Sequence, residues 1–245
     1  MDKLIYTAMT GAKHDMLRQD VLTHNLANAT TPGYRAQTMA FRAVPLQNAG
    51  DTRVFAVEST PGANFSPGPI QSTGNPLDIA VNGPGWIAVE APGGEAYTRN
   101  GGLQISAEGL LQTRAGRSVL SDGGPISVPP GHSINIERDG TVAAIPEGGA
   151  IKAVLSLGRI KLVNPPEADL IRGDDGLFRM KGGGSAELNP DVAIASGAIE
   201  GSNVNPVEAM VSMIALARQF DLHMKMLQNA EANARQASQL LNVNG

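Results

Sequence analysis

The sequence predicts an α+β fold: a central irregular antiparallel β domain flanked by N- and C-terminal α-helices that form coiled-coil-like packing on assembly. Three observations predict it. Of 29 glycines and 16 prolines, nearly all lie between positions 32 and 206, and residues 207–243 contain neither. Apolar residues near both ends recur every three or four positions, the helical spacing. Between the ends, short β-favouring runs alternate with turn dipeptides. The expected division is a helix and turn motif over residues 1–35, a linker over 36–75, a β-rich domain over 76–201 and a second helix over 202–245.

The first helix covers residues 3–29 by pattern. Ile5, Met9, Ala12, Met16, Gln19, Leu22, Leu26 and Ala29 make its stripe, with Lys13, Asp15, Arg18, Asp20 and Thr23 between them. Pro32 then drives Thr31 out of the α region, and Gly33 permits the turn that follows.

In the middle, Asn82-Gly83, Asn100-Gly101, Asp122-Gly123, Asp139-Gly140 and Asp175-Gly176 are pairs that accept positive φ and close hairpins. Residues 77–81 are expected to turn through Asn82-Gly83-Pro84-Gly85 into residues 86–89. Residues 133–136 are expected to meet 141–143 across Asp139-Gly140. The order favours antiparallel pairing over βαβ units.

The last helix has a capping residue in Asn205, a first-turn proline in Pro206 and Glu208 at the capping-box position. Met213, Leu216, Phe220, Met224, Leu227, Ala230, Ala234, Ala237 and Leu241 then keep gaps of three or four. Their mean gap of about 3.5 is the coiled-coil period. One such stripe buries too little to offset the chain entropy of so long an arm. The arms are therefore expected to be loosely paired or disordered alone and ordered when copies dock, head-to-tail docking giving a filament or ring. Periodicity also allows a second arrangement, with both helices packed on the β domain.

Composition removes several function classes. The chain has no cysteine, hence no thiol nucleophile, disulfide or thiolate metal site. Its net charge is −4 and its basic residues are scattered, which excludes a phosphate-binding stripe and a nucleic-acid partner. No cleavable leader and no membrane-spanning apolar run are read from it, so no membrane insertion is expected. His14, His24, His132 and His223 lack metal-ligand spacing. Asp174-Asp175-Gly176 lacks the ligand alternation of a calcium loop and reads as a turn. Gly83-Pro84-Gly85 is no dinucleotide fingerprint, because the third glycine is missing and a strand follows. An enzymatic alternative would have to use Asp78, Glu90, Glu95 or Asp139, which nothing in the sequence pairs. No catalytic residue, cofactor, metal or small-molecule substrate is assigned.

Asn25-Leu26-Ala27-Asn28-Ala29-Thr30-Thr31-Pro32-Gly33-Tyr34-Arg35 closely resembles the signature that ends the N-terminal helix in flagellar rod, hook and hook-associated proteins. Leu77-Asp78-Ile79-Ala80-Val81 with Gly83 and Gly85, and Tyr97-Thr98-Arg99-Asn100-Gly101, resemble β signatures of the same family. Gly201-Ser202-Asn203-Val204-Asn205-Pro206 is similar to the start of its C-terminal helix. The order and spacing of these blocks match along almost the whole chain. Trp86 is a departure, since the family more often has Phe there.

Phe41-Arg42-Ala43-Val44-Pro45, Ser59-Thr60-Pro61-Gly62, Asp174–Arg179 and Ile214-Ala215-Leu216-Ala217-Arg218 bring the resemblance nearest to the proximal-rod branch, with the distal-rod branch the nearest competitor. The resemblance implies export through the flagellar type III apparatus and assembly with copies of itself and adjacent proximal- and distal-rod subunits. It implies no catalysis. The expected assembly interface comprises Ile5, Met9, Met16, Leu22, Asn25, Leu26, Asn28, Pro32, Gly33, Tyr34, Asn203, Asn205, Pro206, Met213, Leu216, Phe220, Met224 and Leu227.

Overall fold

Helices form where the apolar spacing places them: α1 spans Asp2–Ala27 and α2 spans Pro206–Asn242. The computed structural model describes residues 2–45, 54–58, 62–146 and 154–242. The chain divides into two units, one of Met1–Ala29, Gln37–Pro61 and Val204–Gly245, the other of Thr30–Ala36 with Gly62–Asn203.

In the first unit α1 packs along α2. The start of α2 follows from local chemistry. The Asn205 side-chain oxygen accepts hydrogen bonds from the backbone N–H of Val207 at 3.1 Å and of Glu208 at 3.3 Å, satisfying two donors that a helix start leaves open. Apart from Ser212, the least exposed of the described residues of α2 form two columns, Ala209, Leu216, His223 and Ala230, and Met213, Phe220, Leu227 and Ala234. Each column repeats every seven residues, so the seam has heptad spacing. The opposing α1 surface is built largely from small residues: Ala8 and Ala12 are buried and Gly11 is half-buried, with Asp15 buried among them.

The segment expected to be a linker contains an antiparallel hairpin, Phe41–Pro45 with Val54–Glu58, in a register that pairs Phe41 with Glu58. Its β-branched and aromatic residues explain the strands. The Phe41 ring receives the edge of His14 at 4.6 Å and the Arg18 guanidinium at 4.7 Å. Of the family block at positions 59–62, Ser59, Thr60 and Pro61 lie outside the described residues. The side chains of Ala237 and Leu241 do too.

Among its described residues the second unit has short β-strands as its regular structure and one short 3-10 turn, Glu167–Asp169. Its largest sheet has five antiparallel strands in the order Leu162–Val163, Trp86–Ala91, Gly94–Thr98, Phe178–Met180 and Leu170–Arg172. Strand Trp86–Ala91 is buried on both faces. Ile87 and Val89 enter one apolar cluster with Val81, Leu111, Val142 and Ile160, while Trp86 and Ala88 enter another with Tyr97, Val163 and Phe178. Alternation along one strand thus serves two cores.

Sequence-based pairing holds in part. The expected hairpin across Asp139-Gly140 does form, with residues 133–136 opposite 142–145 and Ile136 facing Val142. The Asp139 carboxylate takes the Thr141 N–H and hydroxyl at 3.0 and 2.8 Å, and Gly140 has φ +92°. The expected hairpin of residues 77–81 with 86–89 does not form. Ile79–Asn82 instead pairs with Ala193–Ser196, and Trp86–Ala91 pairs with Gly94–Thr98. Pro84 offers no N–H to close a tight turn, and Gly83 and Gly85 carry the chain away at φ +81° and +139°.

Candidate assembly surface and its anchor

The turn motif after α1 is built into the β unit residue by residue. Gly33 adopts φ +69° and lies so near the Arg99–Asn100 peptide that a Cβ would stand 2.3 Å from its atoms. Only glycine fits there. Its N–H donates to the Glu200 carbonyl at 2.8 Å, and Asn203 N–H donates to the Tyr34 carbonyl at 3.3 Å. Residues 33–36 therefore run alongside residues 200–203.

Asn203 is the hub of this arrangement. Its side-chain oxygen accepts from Ala36 N–H at 2.7 Å, and its amide nitrogen donates to the carbonyls of Asn64 at 2.8 Å and Ser66 at 2.9 Å. One side chain ties three backbone segments.

Beneath it lies a charged cluster. The Glu200 carboxylate stands 2.6 Å from Arg35 and 2.9 Å from Arg99, and also accepts the Gly68 N–H at 2.9 Å. Arg99 further donates to the carbonyls of Val81 at 3.3 Å and Gly83 at 2.7 Å. Both guanidiniums lie over Trp86, at 5.9 and 5.5 Å from its ring centre. Burial pulls the Arg99 pKa below the usual guanidinium value; the Glu200 charge opposes that pull and the Arg35 charge adds to it. Arg172 closes the outer side, donating to the Arg35 carbonyl at 2.8 Å and covering the Tyr34 ring at 4.5 Å. Burial raises the Tyr34 pKa, against the nearby Arg172 charge.

The eighteen expected interface residues divide between the units. Pro32, Gly33, Tyr34 and Asn203 belong to the anchor just described, with Tyr34 buried. In the helical unit, Ile5, Leu22, Leu26, Met213, Leu216, Phe220 and Leu227 are half-buried, while Asn205 caps α2 and Pro206 begins it. Asn28 donates to the His24 carbonyl at 2.9 Å at the end of α1. Asn25 is buried and clasps Gln37, accepting its N–H at 2.8 Å and donating to its carbonyl at 2.9 Å.

Three stripe residues turn outward. Met9 is 54% exposed, Met16 56% and Met224 39%. Ala8, Asp15 and His223, one position earlier in each case, take the inward places. A three-or-four spacing admits either phase, and the choice of methionine followed apolarity where packing selected small and polar residues. On α2, Val207, Val211 and Ile214 are exposed by 57–69% at helical spacing, with Met210 beside them. The paired helices thus present apolar side chains that their own seam does not use.

Arg35 and Arg99 lie inside the family-resembling blocks but outside the expected interface, and Glu200 lies outside both. A signal existed for Glu200, which shares the inward phase of its strand with buried Ala198.

The carboxylates of the enzymatic alternative do not converge. Asp78 pairs with Arg114 at 2.9 Å, Glu95 with Lys161 at 2.8 Å, and Asp139 serves its own turn. A cleft of about 570 Å3 in the β unit is lined by Phe65, Trp86, Arg99 and Glu167 among others, and by none of those four. Among the described residues no three His, Asp or Glu side chains gather as a metal would need, and no helix is long and apolar enough to cross a membrane.

Comparison with known proteins reports on the same regions. Three family models match: "Flagella basal body rod protein" over residues 5–35, "Flagellar hook protein FlgE/F/G D1 domain" over 80–144, and "Flagellar basal body rod FlgEFG protein C-terminal" over 195–240. The flagellar basal-body rod protein FlgF of Salmonella typhimurium is 45% identical, over 99% of this chain and all of its own. FlgF of Escherichia coli is 44% identical over the same shares. A rod protein named FlgG, from Bacillus subtilis, is 29% identical over 94% of this chain and 96% of its own. Sharing 45% of its residues with such a relative along both whole chains, this chain belongs to the FlgF family of flagellar basal-body rod proteins, structural subunits of the bacterial flagellum.

Proposed function

We propose that the chain is a proximal-rod subunit that polymerises through its terminal helices and transmits torque without catalysing a reaction. Its partners are copies of itself and adjacent rod subunits, including FlgG of the distal rod. The finer placement belongs to the same reading: export through the flagellar type III apparatus with no cleaved signal peptide, and residence in the rod where it crosses the periplasm. A distal-rod role like that of FlgG is the less supported alternative, given the lower identity of the FlgG relative.

One observation carries the proposal. The helices spend their small and half-buried residues on each other and leave Met9, Met16, Val207, Val211 and Ile214 outward. A surface of that kind on otherwise charged helices is what neighbouring helices cover in a filament. All eighteen residues of the expected interface stand in this proposal: the outward ones touch neighbours, and the anchor residues hold the chain from which the helices extend.

The test is deletion of residues 204–245 in the full chain. The β unit should remain folded by circular dichroism, while incorporation into rods and motility are lost. Rods built from the truncated chain would overturn the reading.

A further inference from the structure

We propose that Gly11, Asp15 and His223 form a register lock, which fixes the turn of α1 that lies against a given turn of α2. The His223 ring rests on Gly11, where a Cβ would come within 2.6 Å of the ring carbon between the two nitrogens. Its Nε2 stands 3.5 Å from a carboxylate oxygen of Asp15, whose side chain is 4% exposed. The three residues are at one level of the seam.

Each of them weakens a plain helix pair. A glycine inside a helix is less favourable than alanine, and Gly11 is the sole glycine of α1. A buried carboxylate is costly even when paired. His223 is the one polar member of a column otherwise made of Ala209, Leu216 and Ala230, as Asp15 is between Ala8 and Leu22. Three unfavourable choices at one level do little for stability and much for selection. A polar group at a single seam position is a known means of fixing register at a cost in stability.

The alternatives it rejects can be written down. A slip of one heptad in either direction would set Asp15 against Leu216 or Ala230, leaving a carboxylate on an apolar surface. The same slip would set the His223 ring at the level of residue 4 or 18, which are Leu and Arg rather than glycine. The stretches rich in alanine, at the far end of α2 above all, discriminate poorly between such registers. The lock supplies what they lack.

The chain has no cysteine, so spin labels can be placed cleanly. Labels at exposed Lys13 and Lys225, introduced as K13C and K225C in the full-length chain, should give one narrow distance distribution by pulsed electron resonance. Replacing the pair with D15L/H223L should preserve or raise helicity and heat resistance. It should also add a second population from a slip of one heptad, an axial shift of about 10 Å. H223L alone should lose helicity, since it strands the carboxylate, and D15N should keep a single register. In G11A the added methyl must displace the ring, moving the distance even if D15L/H223L folds poorly. A single unchanged distance in both D15L/H223L and G11A would overturn the lock, as would a broad distribution in the unsubstituted chain. A purely stabilising pair would shift the unfolding midpoint and leave the distances alone.

Discussion

Glu200 holds Arg35 at 2.6 Å, and with side-chain exposures of 1% and 0% neither group meets water. The pair joins the segment after α1 to the strand that leads to α2. Since Arg99 shares the same carboxylate, Glu200→Gln leaves two buried guanidiniums without a counter-charge. Breaking a buried pair from one side costs about 3–5 kcal/mol. Urea unfolding of the full chain should show a loss of that order in the β transition, and a loss no larger than that of a surface substitution would show that the cluster is not structural.

Gly33→Ala should be disproportionately harmful for a one-methyl change. The position requires positive φ and meets the Arg99–Asn100 backbone, so strain and collision add. We expect a loss above about 1 kcal/mol, the usual scale of such substitutions where φ is incompatible. Pro32→Ala lifts the restriction on Thr31 and lets α1 run on, so it should misdirect the chain and impair rod incorporation more than β-unit stability. Equal losses would mean that Pro32 is ordinary scaffold.

Alkaline pH gives a third test. Burial, more than any other influence, pushes the Tyr97 phenol up to about 12, while its oxygen accepts the Ala186 N–H at 2.7 Å. A raised folded value means that Tyr97 contributes its full stabilisation below about pH 10, the unfolded value, and loses it as pH rises towards 12. The unfolding midpoint should therefore fall over that range, together with late phenolate absorbance. Tyr97→Phe should be weaker at neutral pH and flatter across the alkaline window.

Val211→Glu and Ile214→Glu separate surface from seam. Both side chains are well exposed, so helicity and stability should change by no more than about 0.5 kcal/mol while rod incorporation fails. Leu216→Ala, in the seam, should lower helicity as well. If the exposed substitutions leave assembly intact, these side chains are not the contact surface.

What sequence made legible was local. Asn205, Pro206 and Glu208 announce α2 because a helix cap is settled within one turn. Asp139-Gly140 announces its hairpin for the same reason. Partners chosen at long range were not legible. Asn82-Gly83 marks a change of direction but does not say which strand lies alongside, and Ile79–Asn82 pairs with a strand more than a hundred positions later. Which phase faces the α1–α2 seam was not legible for a related reason. Apolarity ranks Met224 above His223, and only the facing notch at Gly11 reverses that order. Glu200 hid because a single carboxylate in a short strand reads as a solvated face until Arg35 and Arg99 are seen beside it.

Asn203 has a consequence in time. Ala36 N–H and the Asn64 and Ser66 carbonyls all wait on that one side chain, and Gly33 waits on the Glu200 carbonyl. The ribosome makes residues 30–36 early and residues 200–203 late. For most of synthesis, the early segment has nothing to close upon. The clasp therefore cannot shut until residues 200–203 are free to fold, so the early segment waits for the last strand of the β unit wherever folding takes place.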